Sequence, residues 1–264
     1  MSKINDQTYL LKDQYRDSAN LDARVRVHRL FSTNPYGWNH WYFDQLDLPA
    51  NARILELGCG PGYLWRDNLT RVPASWDVTL SDFSAGMIDR ARENLRERDV
   101  RYEQIDAQAI PFDDHTFDTV IANHMLYHVP DRATALREMR RVLKPGGAAY
   151  IATNGNRHLA ELYDLKQRFD PAINFGWGAR AHEVFSLDSG DAEVREVFAT
   201  VDVRRYDDNL IVTEVQPLVE YVLSMVEPAV AAARRAELTA FIEREMNVSG
   251  RIFIAKDSGM FIAR

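Results

Sequence analysis

One cysteine, Cys59, stands among the 264 residues, so no intramolecular disulfide can form and no zinc site can be assembled from thiols; no metal is expected. Long apolar runs are missing too. No stretch approaches the roughly eighteen residues of a membrane span, and the opening MSKINDQTYLLKDQYRD is polar, without the apolar core of a secretory leader. The chain carries no run of Lys or Arg. With 39 acidic residues against 32 basic ones and a formal net charge of -7, it lacks the basic face that neutralises a phosphate backbone. The densest basic cluster, Arg24, Arg26 and Arg29, alternates with Val25, Val27 and Leu30, the pattern of a solvated helix face. Internal repeats and low-complexity tracts are absent. These absences predict a cytoplasmic, reducing setting and argue against nucleic acid as a partner, while a homo-oligomer stays open.

What is present is 46% hydrophobic and 27% charged. That suffices for a packed core but not for two large independent domains. Up to about Ala50 the chain reads as helical and aromatic-rich, with Phe31, Tyr36, Trp38, Trp41, Tyr42 and Phe43 close together. From Arg53 short apolar runs alternate with amphipathic helical text. Strands are predicted at Arg53–Leu57, Asp77–Leu80, Arg101–Ile105, Thr119–Asn123, Ala148–Thr153 and Thr200–Tyr206. Ser84 caps a helix with Met87, Ile88, Ala91 and Leu95 at helical spacing. Asp131 precedes another, with Leu136, Met139, Val142 and Leu143 on one face, which stops at Lys144-Pro145-Gly146-Gly147. Alternation of this kind predicts an α/β, doubly wound, mostly parallel sheet covered on both faces. After Thr153 the rhythm breaks. Asn154–Leu187 mixes helical and irregular text with Phe175, Trp177 and Phe185, and Pro217–Val226 and Pro228–Met246 read as helices with proline near the first turn. Arg251–Ala263 reads as a strand broken by Asp257-Ser258-Gly259, a hairpin or a bulge.

The strongest local signal is Ile54-Leu55-Glu56-Leu57-Gly58-Cys59-Gly60-Pro61-Gly62-Tyr63. Glycines at a strand-to-helix turn let backbone approach a ligand closely. A dinucleotide fingerprint needs glycine where Tyr63 stands, and a P-loop needs a Lys that does not follow, so G-x-G-P-G fits neither phosphate-binding motif. About twenty residues on, Asp82 ends strand two, where a carboxylate can accept both hydroxyls of a ribose; the alternative is that it merely caps the following helix. Asp106 ends strand three and could meet the exocyclic amine of an adenine.

ILELGCGPG, the acid of SDFS, IDAQAIPFDDHTFDTVIANHMLYHV and the LKPGG stop together resemble the class I S-adenosylmethionine-dependent methyltransferases, in the ordered set of the ubiquinone and menaquinone biosynthesis type, from about Arg53 to Thr153. The resemblance implies a Rossmann-like fold with a seven-stranded sheet and S-adenosylmethionine as cofactor. Residues 51–206 with 251–264 would form the binding core, residues 1–50 an N-terminal helical lid, and 207–250 a helical insertion between strands six and seven. It implies that Gly58, Gly60 and Gly62 pass under the methionine part, that Asp82 holds the ribose, and that Phe83 and Met87 flank the adenine. Asp106 and Ala107 would meet the adenine edge, Asn123 would lie beside the methionine, and Glu56, Cys59 and His124 would complete the cofactor site.

Asn123-His124-Met125-Leu126 is not the Asn/Asp-Pro-Pro-aromatic run of amino-methylating DNA enzymes. No cysteine follows strand four as cytosine-C5 enzymes require, no paired glutamates follow it as in protein-arginine enzymes, and the several thiols of arsenite enzymes are missing. A small-molecule acceptor is therefore expected. An RNA acceptor, or a cofactor-binding partner subunit without transfer, are the alternatives. Trp38, Trp41 and Trp177 are each ordinary core or interface residues when taken singly, and aromatic walls for a sulfonium and a planar acceptor when taken together. A base is needed only where the acceptor must lose a proton. His128, His158 and Tyr127 are the catalytic candidates, with His124 and the His182–Glu183 pair behind them.

Overall fold

The computed structural model describes residues 4–11, 18–96, 98–172, 181–226 and 228–264; Phe175 and Trp177 lie outside them. Three short N-terminal helices, α1 (Gln7–Tyr9), α2 (Ala19–Phe31) and α3 (Trp38–Asp44), precede an alternating series. It runs β1 (Arg53–Leu57), α4 (Tyr63–Asp67), β2 (Asp77–Asp82), α5 (Ala85–Asn94), β3 (Arg101–Gln104), β4 (Phe117–Asn123), α6 (Arg132–Val142) and β5 (Leu143–Asn154). Helices α7 (Ala160–Phe169), α8 (Ala181–Val184) and α9 (Gly190–Arg195) lead to β6 (Val201–Tyr206). The chain closes with β7 (Asn209–Val212), α10 (Val215–Leu223), α11 (Pro228–Ser249), β8 (Ile252–Ala255) and β9 (Ser258–Ala263).

Seven strands form one sheet in the order β3-β2-β1-β4-β5-β9-β6. All its described pairings are parallel except those of β9, which runs antiparallel to both β5 and β6. Successive strand residues face opposite sides, so the sheet feeds two cores. Leu55, Leu57, Val120, Ala122, Ile151 and Phe261 join the layer under α6; Ile54, Leu80, Ile121, Tyr150, Ala152 and Met260 join the layer under α3 and α5. Each such Leu or Ile contributes about 1.5–3 kcal/mol by leaving water. The expected caps are formed: Ser84 Oγ accepts the Met87 N–H at 3.3 Å and Asp131 Oδ1 the Thr134 N–H at 3.0 Å.

Three expectations are corrected. Lys144-Pro145-Gly146-Gly147 ends α6 but lies inside β5, which starts at Leu143 opposite Phe117; the register shifts between Phe117 and Thr119, and Gly146 has φ 81°. The glycine turn there is a bulge rather than a gap between elements. The C-terminal stretch is not a hairpin, because β8 pairs with β7 in a separate two-stranded sheet while β9 enters the main one. Strand β7, within the segment expected to be helical, is four residues long, too short to show a period.

The segments at the two ends also divide differently from a single lid of residues 1–50. Val27 and Phe31 of α2 share a third core with α7, β7, α10, α11 and β8, whereas Tyr42 and Phe43 of α3 are buried against the main sheet. Tyr42 OH donates to the Tyr150 carbonyl at 2.8 Å. Among the described residues no helix is long and apolar enough to cross a membrane.

Candidate functional site

A cavity of about 670 Å³ opens at the carboxyl ends of β1, β2, β4 and β5, the place where open α/β sheets bind ligands. Glu56, Gly58, Cys59, Gly60, Asp82, Phe83, Met87, Asp106, Ala107, Asn123, His124, Tyr127, His128 and His158 all line it. Gly62 does not. Its φ is 71°, and a Cβ there would sit 2.9 Å from Leu95 Cδ1, so this glycine packs α4 against α5. Gly58, by contrast, is in the wall, with φ 66° and room for a Cβ removed by Met125 at 2.7 Å. A side chain at Gly58 would push against Met125 in the loop after β4.

Asp82 ties this turn to the next. Its Oδ2 accepts the Gly60 N–H at 2.9 Å and its Oδ1 the Ser84 N–H at 2.8 Å. The capping role that sequence offered as an alternative is thus present, but each carboxylate oxygen has lone-pair capacity left for a ligand hydroxyl. Burial pushes the carboxyl up, and the Ser84 and Gly60 amides oppose that. Glu56, buried beneath, accepts the Trp65 indole N–H; burial raises its carboxyl to about 7. Cys59 donates its thiol to the Gly60 carbonyl at 3.4 Å, and burial pushes the thiol up. It is a packed wall residue rather than a nucleophile.

At the end of β3, Asp106 is engaged by two amides that the sequence did not single out. Gln108 donates its backbone N–H and Nε2 to Oδ1, both at 2.9 Å, and Gln7 Nε2 reaches Oδ2 at 3.3 Å. Gln7 belongs to α1, so the first helix rests on the site. Phe83 and Met87 supply apolar wall beside Asp82. The set fits the expected cofactor: a carboxylate for a diol, two apolar side chains for a flat base, and a second carboxylate with movable amides at its edge.

After β4 the chain turns sharply, with His124 at φ 57°, an uncommon conformation outside glycine that clusters at functional sites. Asn123 Oδ1 accepts the Trp38 indole N–H at 3.3 Å, and the His124 ring lies 4.9 Å from that indole. Trp38 therefore lines the cavity, while Trp41 stands behind it, 5.1 Å away, packed against Tyr206. His182 and Glu183 are not among the lining residues.

The imidazoles are sorted by their hydrogen bonds. His128 Nδ1 lies 2.7 Å from the Ile4 carbonyl, which can only accept, so Nδ1 holds the proton and Nε2 is the basic nitrogen of the neutral ring. Burial brings its pKa down to about 4, with Arg24 adding to the effect. Burial leads the causes that keep this ring neutral. His158 is the reverse case. Its Nδ1 accepts the Asp257 N–H at 3.2 Å, leaving the proton on Nε2, and burial holds it well below the usual imidazole range. Tyr127 is buried with its ring 4.6 Å from His128. His124 falls to about 4, by burial and then Lys256. Among the described residues no group of His, Cys, Asp or Glu could hold a metal ion.

Sequence patterns missed part of the wall: His28 on α2, Tyr163 on α7, Tyr221 and Met225 around the end of α10, and Lys256 with Ser258 between β8 and β9. They come from segments without a motif, and only tertiary packing brings them together.

Residues 55–151 match the family described as "Methyltransferase domain". The chain is 37% identical over 129 residues to the ubiquinone/menaquinone biosynthesis C-methyltransferase of Idiomarina loihiensis, covering 47% of this chain and 49% of that one. With the same enzyme of Pectobacterium atrosepticum it is 33% identical over 171 residues, 62% of each chain. The chain thus spans about half to three fifths of the length of these curated relatives. Among solved structures, Haemonchus contortus phosphoethanolamine N-methyltransferase 2 with S-adenosyl-L-methionine superposes at TM-score 0.59 and 19% identity, covering 100% of this chain and 60% of that one. The [4+2]-cyclase SpnF does so at 0.53 and 17%, covering 86% and 79%. These two likenesses show the fold.

Proposed function

We propose that the chain, whose residues 55–151 match a methyltransferase domain, is a class I methyltransferase that binds S-adenosylmethionine and transfers its methyl group to a small-molecule acceptor. One observation carries this: a single cavity joins the glycine turn and Asp82 to a chamber walled by Trp38, His124, His158 and Tyr221. When bound, the cofactor supplies an electrophilic methyl group, and the protein's task is to align and desolvate the two partners. In this proposal Asp82 holds the ribose, Phe83 and Met87 flank the base, Asp106 and Ala107 meet its edge, and Gly58, Gly60 and Asn123 lie along the amino-acid end. Where the acceptor must lose a proton, His128 Nε2 takes it. His158, with its proton on Nε2, donates to the acceptor instead, and Tyr127 fixes the His128 ring. Helix α2 and residues 207–250, which share one core, close over the cavity together as a lid. The single, buried Cys59 suits a reducing compartment. An RNA acceptor is disfavoured by the net charge of -7.

The test is incubation of the protein with methyl-labelled S-adenosylmethionine and fractionated cell metabolites. A labelled small product is expected. Tight binding of S-adenosylhomocysteine with no labelled product in any fraction would reduce the chain to a cofactor-binding partner, and label in RNA would replace the acceptor class.

A further inference from the structure

The order of strands sorts the cavity walls by charge. Glu56, Asp82 and Asp106 stand over β1, β2 and β3, on one flank of the sheet; Asn154, His158, Lys256 and Ser258 stand over β5 and β9, on the other. No acid lines the second flank among the described residues; Lys256 lines it as a cation, and Arg24, one turn before His28 on α2, lines the cavity as well. The Lys256 side chain is only 7% exposed and pairs with Asp208, which is 0% exposed and lies behind the wall rather than in it. Asp208 is already supplied by Ser32 Oγ at 2.6 Å, the Asn34 N–H at 3.0 Å and the Asn209 N–H at 2.8 Å. An ammonium has three N–H donors, and among the described residues the Lys256 ammonium makes one hydrogen bond, to Asp208. A second polar atom stands in the same wall: His28 Nδ1 is buried with no hydrogen-bond partner, its ring stacked 6.4 Å from that of His158. Buried polar groups with unmet hydrogen-bonding capacity are costly, and both Lys256 and His28 line the cavity.

We propose that this flank is an acceptor-recognition site for a small organic acid, whose carboxylate is held by Lys256 and His28. Trp38, Tyr163, Tyr221 and Met225 wall the same chamber, so the body of the acid is planar or apolar. A monoanion fits the Lys256 ammonium better than a phosphate dianion, because Asp208 already balances the Lys256 charge. The His28, His124 and His158 rings stay neutral here, held down by burial and by Lys256, and so act as hydrogen-bonding groups rather than as further cations. The inference deepens the proposed transfer reaction and rests on it, but its test uses neither turnover nor cofactor.

Benzoate, its neutral isostere benzamide, and phenyl phosphate are titrated into the cofactor-free protein by calorimetry. Benzoate is expected to bind at least tenfold more tightly than benzamide, and more tightly than phenyl phosphate. In Lys256→Met the benzoate preference should fall to within about twofold, Lys256→Arg should restore most of it, and His28→Phe should lower it several-fold. S-adenosylhomocysteine affinity, measured separately, should stay unchanged in all three. Equal binding of benzoate and benzamide by the wild type, absence of benzoate binding, a preference for phenyl phosphate, or a preference that survives in folded Lys256→Met would each overturn the assignment. Should Lys256→Met fail to fold, the wild-type comparison and His28→Phe still decide. Loss of S-adenosylhomocysteine binding by the wild type would instead count against the transferase itself.

Discussion

Replacing Asp82 with Ala removes a side chain that links the glycine turn, the start of α5 and the ligand cavity. If it accepts both ribose hydroxyls, two charge-assisted hydrogen bonds disappear from the complex, each worth about 1.5–3 kcal/mol. At about 1.4 kcal/mol per tenfold, affinity for S-adenosylhomocysteine should fall by about 10²–10⁴. The folded state loses the bonds to the Gly60 and Ser84 amides as well, a cost offset in part because burial already disfavours the ionised carboxyl. The net stability loss should stay within a few kcal/mol, and at about 2–4 °C per kcal/mol the melting temperature should drop by no more than about 10 °C. Calorimetric titration of wild type and variant, beside their unliganded melting curves, separates the two effects. A folded Asp82→Ala protein that binds S-adenosylhomocysteine as tightly as the wild type refutes the ribose assignment and leaves Asp82 as a cap.

Three further outcomes follow from the same geometry. His128→Asn should lower the single-turnover rate on a hydroxyl or carbon-acid acceptor by about 10²–10⁴ with cofactor affinity unchanged; a full-speed, destabilised variant would retire His128 as the base. Glu56, raised to about 7 by burial, takes up protons more readily folded than unfolded, so its contribution is intact below its ordinary range near 4.5 and is lost as pH rises to about 7. Glu56→Gln, which still accepts the Trp65 N–H, should therefore gain in melting temperature relative to the wild type from pH 5 to pH 8, and a pH-independent difference would show that Glu56 titrates normally. In limited proteolysis, α2 and residues 207–250 should be cut together without ligand and protected together when cofactor and acceptor are bound; equal protection in every state would make them rigid scaffold.

The run from Arg53 to Thr153 was legible in the sequence because its physics is local. Alternating strands and helices, glycines in a turn and acids at strand ends follow from spacing alone, and the structure has β1, β2 and β4 where that spacing put them. Residues such as Asp82 and Asn123 could be placed on the cavity wall because a strand's carboxyl end fixes where its last side chains stand. Beyond that run the decisive contacts are long-range. Gln7 meets Asp106, His28 stacks on His158, Ser32 and Lys256 share Asp208, and no periodicity relates residues so far apart in the chain. The resemblance implied one role for Gly58 and Gly62; in the fold a Cβ at Gly62 would meet Leu95 of the α4–α5 interface, and one at Gly58 would meet Met125 after β4. Local spacing thus placed the residues at the carboxyl ends of β1, β2 and β4 on the cavity wall. The opposite wall, with His28, Tyr163, Tyr221 and Lys256, was decided by tertiary packing, since its side chains find their neighbours by burial rather than by order along the chain.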